Sequence, residues 1–258
     1  MRMCIVTGAS SGLGMEFAKR ILAGGEVDTV LAIARRRRRL DELSKLSGGR
    51  VTALPLDLTE RESAEKLKKF LAENKPDVRF LVNAAGFGKT GRYDEILRQD
   101  TDGMIDLNCK ALVDVTLTVL PYMHKGARII EVSSVAAFQP LPSFNVYAAS
   151  KAFVLSYSRS LRWELFGRGI HVTAVCPYWV RDTEFIGTAK KSAGKNAVRH
   201  FPLASRTKIV VSLSLFASKI NLPVATPGII SFIVRLVTKV IPREIITAVW
   251  QLDRKSVV

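Results

Sequence analysis

Tyr147 and Lys151 stand four residues apart in the stretch NVYAASK, and Ser134 stands thirteen residues before the tyrosine. On a helix, positions i and i+4 share one face, so this spacing sets a phenol beside an ammonium. The ammonium favours the phenolate and lowers a pKa that starts near ~10. A tyrosine tuned this way can pass a proton to or from a carbonyl or alcohol oxygen near neutral pH. A serine hydroxyl on the same oxygen would share its developing charge. The same two residues also arise as one turn of an ordinary surface helix, so the surroundings must decide.

The surroundings are a regular alternation of short apolar runs and longer helical patterns. Strands are expected in RMCIVTG (2–8), TVLAIA (29–34), VTALPLD (51–57), VRFLVNAAG (78–86), ARIIEVSS (127–134), GIHVTAVCP (169–177) and NLPVATPG (221–228). Helices are expected over 12–23, through RLDELSKL, over 60–73, over 102–120 up to Pro121, and over 147–166. The strands are continuous apolar runs, which indicates burial on both faces of a parallel sheet. The expected fold is a single doubly wound α/β domain over residues 1–258, with about seven strands and helices on both faces. Ligands of such sheets bind beyond the carboxyl ends of the strands.

After the first strand comes TGASSGLG, with glycines at 8, 12 and 14. Such a turn lets a pyrophosphate approach the backbone, and the next helix points its free N–H groups at the anion. The spacing is GxxxGxG, and a glycine-rich turn that binds nothing is the alternative, but its place after the first strand and at the start of a helix favours nucleotide binding. After the second strand an acid for a ribose hydroxyl is absent, and the chain reads ARRRRRL. Arginines opening a helix oppose its dipole and repel one another, and an anion relieves both costs. A 2′-phosphate suits a guanidinium fork. Arg35 is the first candidate and Arg36 the second, which predicts NADP(H) over NAD(H). Asp57 in LDL is placed to accept from an adenine amino group, with Thr59 the better cap for the following helix. The small residues of NAAGFG would let a ring lie flat on the backbone.

In order and spacing, TGASSGLG, LDL, NAAG, Asn108 in DLNCKAL, EVSS, YAASK and Pro177 in VCPYWV together resemble the short-chain dehydrogenase/reductase family, over about residues 3–183. The resemblance implies a Rossmann-type domain. It implies that Tyr147 is the general acid/base, that Lys151 lowers its pKa and binds the nicotinamide ribose, that Ser134 orients the substrate oxygen, and that Asn108 holds a relay water. It assigns the cofactor to Gly8, Ser10, Ser11, Gly12, Leu13 and Gly14 in the first turn. Arg35, Arg36, Asp57 and Leu58 follow, then Asn83, Ala84 and Ala85. Pro177, Val180 and Thr183 complete the set beside Tyr147 and Lys151. There are two departures. Tyr178 replaces the glycine that usually follows the proline, and is expected to crowd the nicotinamide end and shape a substrate pocket with Ser134 and Tyr147. Asp182 takes the place of the family threonine, with Thr183 one position late. Homodimers or homotetramers are implied, through the helices at 102–120 and 147–166.

The segment 183–208 reads as a substrate lid, with Lys190, Lys191, Lys195, Arg199 and His200 either meeting an anionic substrate or simply solvated. Residues 222–258 read as a last strand and an apolar helical extension over IISFIVRLVTKVIPRE. This tail resembles a branch that includes ketoacyl-type and hydroxysteroid-type reductases. Its polar residues, Ser231, Arg235, Thr238 and Lys239, form one narrow stripe. Packing against the domain or a second subunit is the expectation, with peripheral membrane contact the alternative.

Composition sets the outer bounds. The 258 residues are 48% hydrophobic, enough for one sizeable core. Cys4, Cys109 and Cys176 are scattered, which argues against disulfides and a zinc site, and no metal is expected. No apolar run reaches the ~18 residues of a membrane span, and no secretory leader precedes the first strand, so a cytoplasmic protein is expected. The net charge of +16 points to anionic partners. Nucleic acid ranks last among them, because no aromatic-interleaved basic patch or recognition motif is present. The leading expectation is an NADP(H)-dependent enzyme interconverting an apolar ketone and a secondary alcohol, with a hydroxysteroid or 3-ketoacyl substrate. The alternative is a non-catalytic NADP(H)-binding sensor or scaffold.

Overall fold

The computed structural model describes residues 1–190 and 203–255. Lys191, Lys195, Arg199 and His200 of the expected lid lie outside the described residues. Seven strands form one parallel sheet: β1 (Arg2–Thr7), β2 (Thr29–Ala34), β3 (Val51–Pro55), β4 (Asp77–Asn83), β5 (Arg128–Val132), β6 (His171–Val175) and β7 (Val224–Ala225). Their order is β3-β2-β1-β4-β5-β6-β7. The chain direction across the sheet therefore reverses between β1 and β4, and a crevice opens at their carboxyl ends.

The strands bury both faces, as their unbroken apolar runs require. Cys4 and Val6 of β1 pack with Val30 and Ala32 of β2 under α1 (Gly12–Ala23) and α2 (Arg37–Leu46). Met3, Ile5, Leu31 and Ile33 face the opposite layer. There they meet α3 (Arg61–Asn74), α5 (Ala111–Val119) and α6 (Asn145–Glu164). The single Rossmann-type α/β domain is thus as expected.

Several local expectations change. The helix expected over 102–120 starts earlier, as α4 (Arg98–Ile105), and widens into a π-helical turn at Asp106–Lys110 before α5. Thr59 does not cap α3, whose N-cap is Glu60; instead Asp57 Oδ1 accepts from Thr59 N (3.1 Å) and Thr59 Oγ1 (2.7 Å). Within the expected lid, Glu184–Lys190 forms a short helix, α7. The apolar run after it forms α8 (Thr207–Lys219), an element the strand–helix count omitted. The tail is two helices, α9 (Ile229–Val240) and α10 (Arg243–Lys255), because Pro242 follows the first and cannot continue its hydrogen bonding. Among the described residues no helix is long and apolar enough to cross a membrane.

Candidate active site

The crevice at the switch point is built by two backbone turns locked together. Thr7 Oγ1 at the end of β1 accepts from Ala84 N and Ala85 N, both at 3.1 Å. Gly8 adopts φ +67°, and a Cβ there would stand 2.8 Å from Ala85 N. Only glycine lets these turns approach so closely. Ser11 is the N-cap of α1 without a side-chain capping bond, so the first-turn N–H groups of α1 remain available to an anion. Leu13 packs against the core and aims the helix.

The five arginines separate into distinct roles. Arg36 lies over the glycine turn, with Nε and Nη2 donating to Ser10 Oγ (3.1 and 3.0 Å) and Nη2 to Ser11 Oγ (2.7 Å). Its Nη1 donates to Glu184 Oε2 (2.7 Å), and Arg39 donates to Glu184 Oε1 (2.6 Å). Arg35 is largely exposed and pairs loosely with Asp57 Oδ2 at 3.6 Å. The second candidate is thus the one the fold brings to the serines of the turn, and the first lies beside Asp57. The Arg36 and Arg39 guanidiniums hold the Glu184 carboxyl below its usual range. Leu58 packs under the same edge of the sheet. The side chain of Asn83 points into the sheet, donating to Thr116 Oγ1 (2.9 Å) and Glu131 Oε1 (3.2 Å).

The reactive pair is buried. Tyr147 is 6% and Lys151 5% exposed, both on α6. The ammonium does not reach the phenol oxygen. Lys151 Nζ donates to Val132 O (2.8 Å) and lies 5.7 Å from the Tyr147 ring centroid. Burial pushes the phenol above its usual value, and a hydrogen bond with Ser134 pulls it partly back. In this arrangement the lost hydration of a phenolate sets the direction, and the lysine cation is held off by a carbonyl. Burial also lowers the Lys151 ammonium, to about 8.

Asn108 sits in the π-helical turn and is fully buried. Its Oδ1 accepts from Phe87 N (3.1 Å), and its Nδ2 donates to Phe87 O (3.0 Å) and Ser150 Oγ (3.0 Å). Gly86 fits between this side chain and the lysine: a Cβ there would stand 2.8 Å from Asn108 Oδ1 and 3.4 Å from Lys151 Nζ. Ser134 Oγ accepts from Ala136 N (3.1 Å), which fixes the hydroxyl at the mouth of the site.

Aromatic side chains enclose the phenol. Phe144 stacks on Tyr147 at 4.3 Å between centroids, and Phe185 approaches it at 5.3 Å. Trp179 lies 5.9 Å from Phe144 and 6.4 Å from Phe185, and Trp250 of α10 packs into the same cluster. Tyr178, expected to shape this pocket, sits edge-on to Trp179, and its backbone N donates to Ser231 of α9. The residues that sequence reasoning missed are thus Phe144, Trp179, Phe185, Trp250, Gly86 and Glu184. Of these only Phe144, three residues before the tyrosine, carried a local sequence signal.

Past β6, Pro177 O accepts from Val135 N (3.1 Å), and buried Val180 bridges to Ser205. Thr183 reaches the glycine turn, since a Cβ at Gly12 would stand 3.2 Å from its Cγ2. Asp182 serves α8: its Oδ1 accepts from Thr207 N (2.7 Å) and Thr207 Oγ1 (2.6 Å) at the start of that helix.

A site of this kind, on this sheet, defines a class. Residues 2–201 match the model of the short chain dehydrogenases, and the chain belongs to that family. It is 34% identical to the serine 3-dehydrogenase of Agrobacterium fabrum over 183 residues, 70% of this chain and 72% of that protein. It is 36% identical to the NADP-dependent 3-hydroxy acid dehydrogenase of Salmonella typhi over 197 residues, 75% of this chain and 78% of the other. Its fold is similar to that of a short-chain dehydrogenase from Sphingobium yanoikuyae solved in complex with NADPH. That match has a TM-score of 0.77 at 27% identity, and covers 94% of this chain and 97% of the other.

Proposed function

We propose that this chain is an NADP(H)-dependent oxidoreductase that interconverts a ketone and a secondary alcohol on an apolar substrate of hydroxysteroid or 3-ketoacyl type. The observation that carries the reading is the aromatic box of Phe144, Trp179, Phe185 and Trp250 closed around a phenol that Ser134 already hydrogen-bonds. An apolar enclosure with one polar corner accepts a flat or extended ketone and fixes its oxygen there.

The residues of the crevice fit the cofactor. The open N-terminus of α1 and the locked Gly8 turn suit a pyrophosphate, and Arg36 with Ser10 suits a 2′-phosphate. The bound nicotinamide would supply or accept the hydride. Tyr147 then gives its proton to the developing alkoxide in reduction, or takes it from the alcohol in oxidation. Ser134 holds the same oxygen as charge builds on it. Lys151, partly neutral near pH 8, stands next to Asn108 across Gly86; it does not touch the phenol, so a proton it returned to the tyrosine would pass through a bridging hydroxyl or water. The relatives named above are a serine 3-dehydrogenase and a 3-hydroxy acid dehydrogenase, and share with this reading an alcohol as the reacting group.

The test is NADPH oxidation measured over a panel of steroid, 3-ketoacyl and small polar ketones, with wild type and Tyr147→Phe. The expected result is turnover of the apolar ketones and a fall of about 10²–10⁴-fold in the variant. NADPH binding without turnover of any ketone would sink the enzymatic reading in favour of a sensor or scaffold.

A further inference from the structure

Helix α9 is built inside out. Its polar stripe, Lys239 apart, faces the domain: Ser231 is fully buried, accepts from Tyr178 N (2.9 Å) and donates to Pro227 O (3.1 Å). Arg235 Nη1 lies 3.3 Å from Val224 O. The opposite arc carries Ile229, Phe232, Ile233, Leu236, Val237 and Val240, each between 37% and 77% exposed. Beyond Pro242 the apolar surface resumes on α10 with Ile245, Val249 and Leu252, each at least 55% exposed. A surface helix of a water-soluble domain shows the reverse pattern. These side chains expose on the order of 1,000 Å² together, against ~300–600 Å² for the largest patch of an ordinary monomer.

Charge selects the occupant. Across the two tail helices, residues 229–255, five cations, Arg235, Lys239, Arg243, Arg254 and Lys255, stand against two acids, Glu244 and Asp253. Of these, Lys239 and Arg243 are exposed, as is Glu244. A two-fold contact of this face with a second copy would set like charges against each other. An anionic lipid surface is complementary to both the apolar arc and its basic rim. At twelve residues α9 is about 18 Å long, well short of the ~30 Å hydrocarbon core, so it lies in the interface.

The face adjoins the site. Trp250 Nε1 donates to Pro142 O (3.3 Å) and Thr247 Oγ1 to Pro140 O (3.4 Å), so α10 crosses the loop between Ser134 and Tyr147. We propose that α9 and α10 seat this chain on an anionic bilayer surface with the aromatic box at the lipid boundary. Resting on the function proposed above, the substrate is then an apolar ketone or alcohol drawn from the bilayer.

The test is co-sedimentation of the full chain with vesicles of phosphatidylcholine alone and of phosphatidylcholine with one quarter phosphatidylglycerol, at low and high salt. The expected result is binding to the mixed vesicles that weakens with salt and falls at least about tenfold in Leu236→Glu. Leu236 is 53% exposed, so the variant should keep its circular dichroism and NADPH affinity. Equal retention by wild type and variant, or no sedimentation of either, overturns the proposal. So does a wild-type dimer in analytical ultracentrifugation that Leu236→Glu dissolves without any vesicle binding, which would give the face to a second copy. Vesicle binding by a chain that reduces no ketone would leave the docking intact and fail the proposed function alone.

Discussion

Replacing Arg36 by alanine separates the two dinucleotides by a calculable amount. In the structure its guanidinium donates to Ser10 and Ser11 and pairs with Glu184. A 2′-phosphate at Ser10 would be held by the same guanidinium, and a hydrogen bond to a charged group contributes about 1.5–3 kcal/mol. The Arg36–Glu184 pair must yield to it. Both side chains are more than two-fifths exposed, so that pair is worth at most ~0.5–1 kcal/mol. The difference is about 0.5–2.5 kcal/mol, or about 2- to 70-fold in dissociation constant. Fluorescence titration at fixed salt should show Arg36→Ala weakening NADPH by that factor and NADH hardly at all. Glu184→Gln should tighten NADPH by up to ~5-fold, because it removes the competitor. Arg35→Ala should have the smaller effect, since Arg35 is 74% exposed and leans on Asp57. The reasoning fails if Arg36→Ala weakens both dinucleotides equally, or if Arg35 carries the discrimination.

Other outcomes follow from the buried side of the site. Gly86→Ala forces a methyl against Asn108 Oδ1; urea unfolding should show a loss of about 1–3 kcal/mol, and turnover should fall at least ~10-fold. Buried Glu131, with Oε2 lacking a protein partner, has its pKa pushed up to about 8. Its folded form keeps a proton that the unfolded chain releases above about 4.5, so stability falls as pH rises from ~5 toward 8. Urea midpoints of Glu131→Gln should lose that component of the slope, and an unchanged slope would contradict the assignment. Trp250→Ala removes one wall of the aromatic box: it should raise KM for apolar ketones several-fold and cost about 1–2 kcal/mol, with small polar ketones unaffected.

The sheet and the order of its motifs were legible because both-face burial leaves a periodic mark in the sequence. Cys4, Val6, Val30 and Ala32 are buried where a continuous apolar strand must be buried. The glycine turn was legible for the same kind of reason, since the φ and close approach at Gly8 leave no other residue type. What spacing cannot show is which atom a flexible side chain reaches. Lys151 lies one turn from Tyr147, yet its ammonium is drawn to Val132 O, and the phenol is governed by burial. Arg35 and Arg36 differ by one position, and only the geometry at the end of β2 turns Arg36 toward Ser10. Helix α8 escaped because its run of Ile, Val and Leu gives no clean helical period. The polarity of α9 was correctly read as a stripe, but not the direction it faces, which depends on Ser231 finding Tyr178 N.

The wide turn at Asp106–Lys110 bears on how this chain tolerates changes in length. A hydrogen bond from Ala111 N to Asp106 O spans one residue more than an α-helix allows. The extra residue is taken up within that one turn, so removing it would close the turn to ordinary pitch and leave α5 facing as it does, whereas a residue lost from the ordinary turn that follows would rotate everything beyond it by about 100°. Leu112, Val115 and Val119 would leave the core together, and Thr116 would lose Glu131. An insertion between α2 and β3 meets no such penalty, because Gly48 and Gly49 have open space around them. Gaps in alignments of close relatives should therefore gather at 47–50, fall singly at 106–110, and be missing at 111–119, where a single residue of length carries the orientation of a whole helix.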